Sequence, residues 1–250
     1  MPLPIVETST FIGTIPSTGE KFEFRPFRVK EQKVLLFAYE TQDATQIFLA
    51  LRNIVDACVV GNKEAADINK IPSFDAESIF LQISAKSVGE VSEIQVGCKK
   101  CNEFNDVKVY LNNAKLKNFD PKHAVIKLSD NLGIKMRYSS IKEYLDILTN
   151  ASSSSSNEKD IQQTTTSKTI YELIEHSIDS IFTGDKVYSA KDYTLEEITD
   201  FIESLSIPQM KQIEDFFSFT PYLAAEVSFK CSKCGELNEN REIKGIKNFF

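Results

Sequence analysis

Apolar residues recur every three or four positions in some stretches of this chain and every second position in others, which places helices and strands before any chemistry is considered. Between Phe11 and Phe27 the pattern alternates around Pro16-Ser-Thr-Gly19. Phe11-Ile-Gly-Thr-Ile15 and Lys21-Phe-Glu-Phe-Arg25 are therefore predicted to pair as a hairpin, which Pro26 ends because it has no amide hydrogen to donate. Residues 1–10 before it read as an extended arm. Val34, Leu35, Phe37 and Ala38 predict a helix from about 30 to 41, and the stripe Ile47, Phe48, Leu51, Ile54, Val55, Cys58, Val59 predicts a second one reaching about 60. A third, from 76 to about 87, buries Ile79, Phe80 and Ile83; Ser73 or Asp75 is its expected cap and Gly89 its stop.

Glu93-Ile-Gln-Val-Gly97 is expected to lead as a strand into the first cysteine turn, and further strands are expected at 106–111, 124–128 and 133–138, followed by a helix near 141–149. The stretch 151–168 holds five consecutive serines and then Gln-Gln-Thr-Thr-Thr, a composition with little to bury, and reads as a flexible surface loop. Ile170, Leu173, Ile174, Ile178 and Ile181 share one helical register and predict a helix over 169–182. Two more follow, 195–205 with Thr194 and Glu197 as a capping pair, and 208–217 with Ser206 and Gln209. Strand, turn and strand then return before Gly245-Ile-Lys-Asn-Phe-Phe250. The two phenylalanines either pack into the chain's own core or anchor a neighbouring subunit.

Chemistry enters with the cysteines. Four of the five form two Cys-x-x-Cys turns, Cys98-Lys-Lys-Cys101 and Cys231-Ser-Lys-Cys234, with near-duplicate flanks: Glu-x-x-x-x-Cys before each and Glu103-Phe-Asn105 or Glu236-Leu-Asn238 after. Each reads as a strand, a tight turn with two thiols and a returning strand. Two such turns complete a tetrahedral four-thiolate site, with structural zinc as the expected ion and iron as the minor alternative. Paired disulfides and a redox turn are the competing readings. A site closed by four protein ligands leaves no position for substrate, which points to scaffolding. Cys58 lies on an apolar stripe and reads as core.

The expected fold class is α+β, with helices packed on a small antiparallel sheet and the two hairpins forming a zinc-ribbon-like site. The domain reading is 1–150 for the first hairpin, helices and first cysteine turn, 151–168 for the loop, and 169–250 for the helical segment and second turn, completing the same domain through a shared ion. No apolar run approaches the roughly 20 residues that span a bilayer. A formal charge of −7 opposes an extended phosphate-binding surface, although Lys99, Lys100, Lys230 and Lys233 crowd the turns and keep a zinc-ribbon nucleic-acid module as the alternative. They read as solvated turn residues. With two histidines, His123 in a turn and His176 on an exposed helix face, and no Gly-rich phosphate loop or nucleophile motif, no enzymatic activity is expected.

Four blocks, Ile15-Pro-Ser-Thr-Gly19, Phe24-Arg-Pro-Phe27-Arg-Val-Lys-Glu31-Gln-Lys33, Phe74-Asp75-Ala-Glu77-Ser-Ile-Phe80 and Ala85-Lys86-Ser87-Val88-Gly89-Glu90, resemble the baseplate hub proteins of T4-like contractile-tailed phages. The resemblance covers residues 1 to about 110 and returns at the second cysteine turn and Gly245–Phe250. It implies a structural or assembly role at the hub, with other hub and tail proteins as partners and oligomerisation open. It also implies location in the virion, and in the host cytoplasm during assembly. The family includes members that promote hub assembly without entering the particle. Candidate partner-binding residues are Phe24, Arg25, Phe27, Phe249 and Phe250, with Arg25 either paired internally or reaching a partner.

Overall fold

A computed structural model describes residues 8–41, 43–143, 145–147 and 170–249. The loop expected at 151–168, most of the amino-terminal arm, the end of the helix near 141–149 and Phe250 lie outside them. The chain is α+β, and the described residues form helices and four small antiparallel sheets. It divides into two compact units, Met1–Lys117 with Pro221–Phe250, and Asn118–Thr220.

In the first unit β1 (Phe11–Thr14) and β2 (Lys21–Phe24) form the expected hairpin, and β3 (Val59–Gly61) adds to β2. The second helix therefore stops at Cys58 and not at 60. Val59 and Val60, β-branched and next to Gly61, continue as strand. Helix α1 spans Val29–Thr41, and α2 spans Ala44–Cys58, where the Asp43 carboxylate accepts from the Thr45 amide at 2.8 Å. On α2 the stripe Ile47, Leu51, Ile54, Val55 and Cys58 is buried, and burial pushes the Cys58 thiol up to about 11, so it is an inert core residue.

Helix α3 (Ser73–Ser87) is the centre of this unit, with Phe74, Ile79, Phe80 and Ile83 buried. Neither Ser73 nor Asp75 caps it. Pro72 occupies the cap position, and the fully buried Asp75 carboxylate accepts from the Ser17 amide and hydroxyl at 3.1 and 2.5 Å. Desolvation raises the Asp75 pKa against the effect of those bonds. The Pro16–Gly19 turn is thus tied to α3.

After Gly89, at φ 123°, come β4 (Val91–Gly97) and β5 (Phe104–Tyr110) as one antiparallel pair. The short β6 (Lys115–Lys117) lies beside β11 (Tyr222–Lys230), which pairs on its other edge with β12 (Leu237–Lys244). One core joins α3 to both hairpins: Leu81 and Ala85 pack with Val96, Val107, Val109, Ala225, Val227, Ile243 and Phe249.

The second unit holds the sheet β10-β9-β8-β7, from β7 (Val125–Lys127), β8 (Leu132–Met136), β9 (Ile178–Thr183) and β10 (Lys186–Ser189). The helix expected over 169–182 ends at 177, and Ile178–Thr183 is strand. The isoleucines fit helical spacing, but Gly184 at φ 57° closes a two-residue turn to β10, and pairing with β8 wins over local period. His176 is half-buried, not exposed. Helices Leu195–Glu203 and Ile207–Ser218 carry the two expected capping boxes. Their Ile198, Ile202, Ile213 and Phe216 pack with Ile134, Met136, Ile174 and Ile178.

Candidate metal centre

Each Cys-x-x-Cys turn begins where a hairpin ladder ends, after Gly97↔Phe104 in one and Lys230↔Leu237 in the other. The turns close alike. The Cys98 amide donates to the Glu103 carbonyl at 2.9 Å and the Cys231 amide to that of Glu236 at 2.8 Å. Four residues after each first cysteine the backbone enters the left-handed region, at Asn102 (φ 55°) and Gly235 (φ 71°). This tight return aims both thiols of a turn the same way.

The four sulfurs converge. All lie within 4.8 Å of one another, and close approaches run between hairpins: Cys98 Sγ to Cys234 Sγ at 3.7 Å and Cys101 Sγ to Cys231 Sγ at 3.6 Å. A tetrahedral ion with metal–sulfur bonds of about 2.3 Å separates its sulfurs by about 3.8 Å, so this donor set fits one tetrahedral ion. No disulfide joins the cysteines.

Two asparagines, present in the sequence flanks but not singled out there, complete the cluster. Asn105 follows the alternation of β5, which buries residues 105, 107 and 109, so it points inward with Val107 and Val109. Its Nδ2 donates toward Cys231 Sγ at 3.8 Å and its Oδ1 accepts from the Ser232 amide at 2.8 Å. Asn238 does the same in reverse, donating to Cys98 Sγ at 3.4 Å and accepting from the Lys99 amide at 2.9 Å. Charges also exchange: Lys233 Nζ lies 2.7 Å from Glu103 and Lys100 Nζ 3.3 Å from Glu236. The only sequence signal for these partners was that Lys, Glu and Asn recur at the same offsets from both first cysteines.

Hydrogen bonding, first of all from the Asn238 amide, holds the Cys98 thiol down at about 6. For Cys101, the Glu103 amide favours the thiolate, but burial and the three neighbouring thiols push it up to about 12. The Cys231 thiol is held below its ordinary value as well, first by the Cys234 amide, so two thiols of the quartet ionise readily while Cys101 resists beside them. A divalent cation would relieve the repulsion among the thiolates.

The other candidate residues lie away from this cluster. Phe24 is fully buried in β2, with its ring 5.5 Å from that of Phe22, and Phe249 is fully buried in the core under the hairpins, so both rings pack within the chain. Arg25 pairs internally: its Nη2 donates to Glu31 Oε1 and to the Ala57 carbonyl, each at 2.9 Å. Burial would raise the Glu31 pKa, but the bonds from Arg25 and the Arg28 amide outweigh it and leave the carboxyl below its ordinary value. Phe27 is half-buried, its amide donating to Ser87 Oγ at 2.9 Å.

Among the described residues no helix is long and apolar enough to cross a membrane. Neither a curated protein nor a solved structure matches the chain. A family model described as "T4 bacteriophage base plate protein" matches residues 7–250, extending the likeness through the second unit that lies between the two hairpins in sequence. The chain therefore belongs to the T4 bacteriophage base plate protein family, and its role is that of a structural protein of the phage baseplate.

Proposed function

We propose that this protein acts at the baseplate hub, as a structural subunit or an assembly factor that contacts other hub and tail proteins, and that one structural zinc staples its two cysteine hairpins. The observation that carries the second half is the convergence of Cys98, Cys101, Cys231 and Cys234 at spacings suited to a tetrahedral ion. An all-sulfur tetrahedral set suits zinc or iron, and zinc, without redox chemistry, fits a purely mechanical task. Bound there, it would cross-link strands far apart in sequence; structural zinc supplies on the order of 10 kcal/mol in isolated finger peptides.

The contact role draws on the family match and on large apolar side chains that stay exposed, among them Val29, Leu36 and Phe37 of α1 and Ile207 of the second unit. Two of the four turn lysines, Lys100 and Lys233, face glutamates across the site, which takes them from a nucleic-acid surface. With all four sulfurs committed to the ion, no catalytic task is assigned to the site. The test is elemental analysis with a thiol count on protein never exposed to chelator. One zinc per chain and four protected thiols are expected. Absence of metal with four reactive thiols would sink the stapling, and a hub that assembles normally without this protein would sink the hub role.

A further inference from the structure

The contacts between the two hairpins are exchanged, not merely adjacent. Asn105 rises from the first hairpin yet serves the second: its Oδ1 takes the amide of Ser232, and one hydrogen of its Nδ2 points at Cys231 Sγ. Asn238 rises from the second and serves the first, through the Lys99 amide and Cys98 Sγ. The remaining Nδ2 hydrogen returns home in each case, to the Glu103 carbonyl at 2.8 Å and the Glu236 carbonyl at 3.2 Å. Both side chains are buried, Asn105 8% and Asn238 1% exposed, so water does not compete for these bonds.

We propose that Asn105 and Asn238 are reciprocal positioning residues, each fastening the first cysteine of the opposite hairpin, so that the four sulfurs take up an ion as one unit and not as two separate Cys-x-x-Cys pairs. The inference rests on the metal-site reading above. The chemistry selects asparagine. A primary amide offers an acceptor and two donors in one plane. Here the oxygen holds the backbone just past a cysteine while the nitrogen reaches that cysteine's sulfur, and the third bond locks the rotamer. Aspartate would keep the acceptor, lose the donor and set a negative charge against thiolates. Glutamine would place the same groups one methylene too far.

A fastening of this kind transmits order. A hairpin alone presents two sulfurs and an unsatisfied asparagine; docking onto its partner satisfies both asparagines and completes the sulfur set in the same step. The two arms are unequal, because Asn238 approaches its sulfur to 3.4 Å and Asn105 only to 3.8 Å. Asn238 therefore makes the closer contact to sulfur.

The experiment uses the full chain loaded with zinc, with chelator competition for affinity and site-resolved alkylation of each cysteine by mass mapping. Asn238→Asp should lower zinc affinity about 10- to 100-fold, as loss of outer-shell partners does at other metal sites. Asn105→Asp should lower it less. Alkylation should rise first at Cys98 in Asn238→Asp and first at Cys231 in Asn105→Asp, each in the hairpin that does not carry the substitution. General loosening would instead expose the substituted hairpin or all four thiols equally, and that pattern overturns the proposal. If Asn238→Asp fails to fold, Asn238→Ser, which removes the contacts without adding charge, is read in the same way. Wild-type protein that binds no ion would bring down the metal reading and this inference with it. Wild type with one ion and protected thiols, alongside unchanged asparagine variants, would bring down the inference alone.

Discussion

From Val91 to Tyr110 the first cysteine hairpin pairs without interruption, whereas the second slips register between Val227 and Phe229. Val227 faces Arg241 and Phe229 faces Asn238, so β12 uses one residue more than β11 over that span, with Asn240 in the left-handed region at φ 49° and its amide bonded to Ser228 Oγ. The bulge decides which side chain enters the thiol cluster. With this sequence, an uninterrupted ladder from Arg241 would set Glu239 opposite Phe229 and turn Asn238 outward; the extra residue restores Asn238 to the inner face. Matching contacts are thus reached by a flat hairpin on one side and a bulged one on the other. Local sequence likeness around a turn can be preserved while the strand behind it is re-spaced, provided that the inward positions are recovered before the site.

If the hairpins are equal halves of one site, removing a ligand from either should do the same damage. Cys98→Ser and Cys231→Ser should each abolish stoichiometric zinc and forfeit a large part of a contribution on the order of 10 kcal/mol. Unequal metal content in the two variants, measured by elemental analysis, would break the equivalence. Next in size is Phe249→Ala, expected to cost about 3–5 kcal/mol in denaturant unfolding of the isolated protein, because its ring fills the core beneath both hairpins. An unchanged midpoint would return Phe249 to the role of an external anchor.

Val109 and Ile243 occupy corresponding inward positions beyond the ladders' first rungs and share that core. Val109→Ala should cost about 2 kcal/mol and Ile243→Ala about 2–4 kcal/mol, the bulged side losing more because more side chain is deleted. The turns give a smaller contrast. Gly235→Ala forces a Cβ into the left-handed region and should cost about 1 kcal/mol, whereas Asn102→Gly, at the equivalent position, should gain a few tenths. Smallest of all are the crossed ion pairs. Lys233 is raised by its hydrogen bond to Glu103, so its contribution is complete below the ordinary lysine pKa near 10.4 and is lost as pH rises through the higher folded value. Lys233→Met should nevertheless leave a thermal melt at pH 7 within error, since both partners are largely exposed.

Much of this site was legible in the sequence because a thiol cluster is specified by short spacing, and the duplicated flanks announced two equivalent turns. The asparagine exchange was visible only as a repeated offset; nothing local says that Asn238 serves Cys98, since that depends on docking the hairpins. Elsewhere, capping pairs such as Thr194 with Glu197 and Ser206 with Gln209 were read correctly because a cap is complete within four residues. The strand at Ile178–Thr183 was missed because the isoleucine spacing favours a helix, and only pairing with β8, some forty residues earlier in the chain, overrides it. The Ser17–Asp75 tie was hidden for the same reason: a carboxylate three places past Pro72 looks like a cap until the distant turn that consumes it is in place.

The strand pair β6–β11 sets Lys117 opposite Tyr222, so the chain leaves the first unit and re-enters it on neighbouring strands, with the continuous second unit made in between. On the ribosome this arrangement is a delay line. Cys98 precedes its sulfur neighbour Cys234 by 136 residues, and at roughly 5–20 residues per second it waits about 7–27 s for that partner to be synthesised. By the end of that interval the inserted unit has its whole sequence made, while the first pair of thiols has stood unmatched throughout. The moment of closure is therefore set by translation of the second hairpin, and any cellular agent that would cap or oxidise those thiols has that window in which to act.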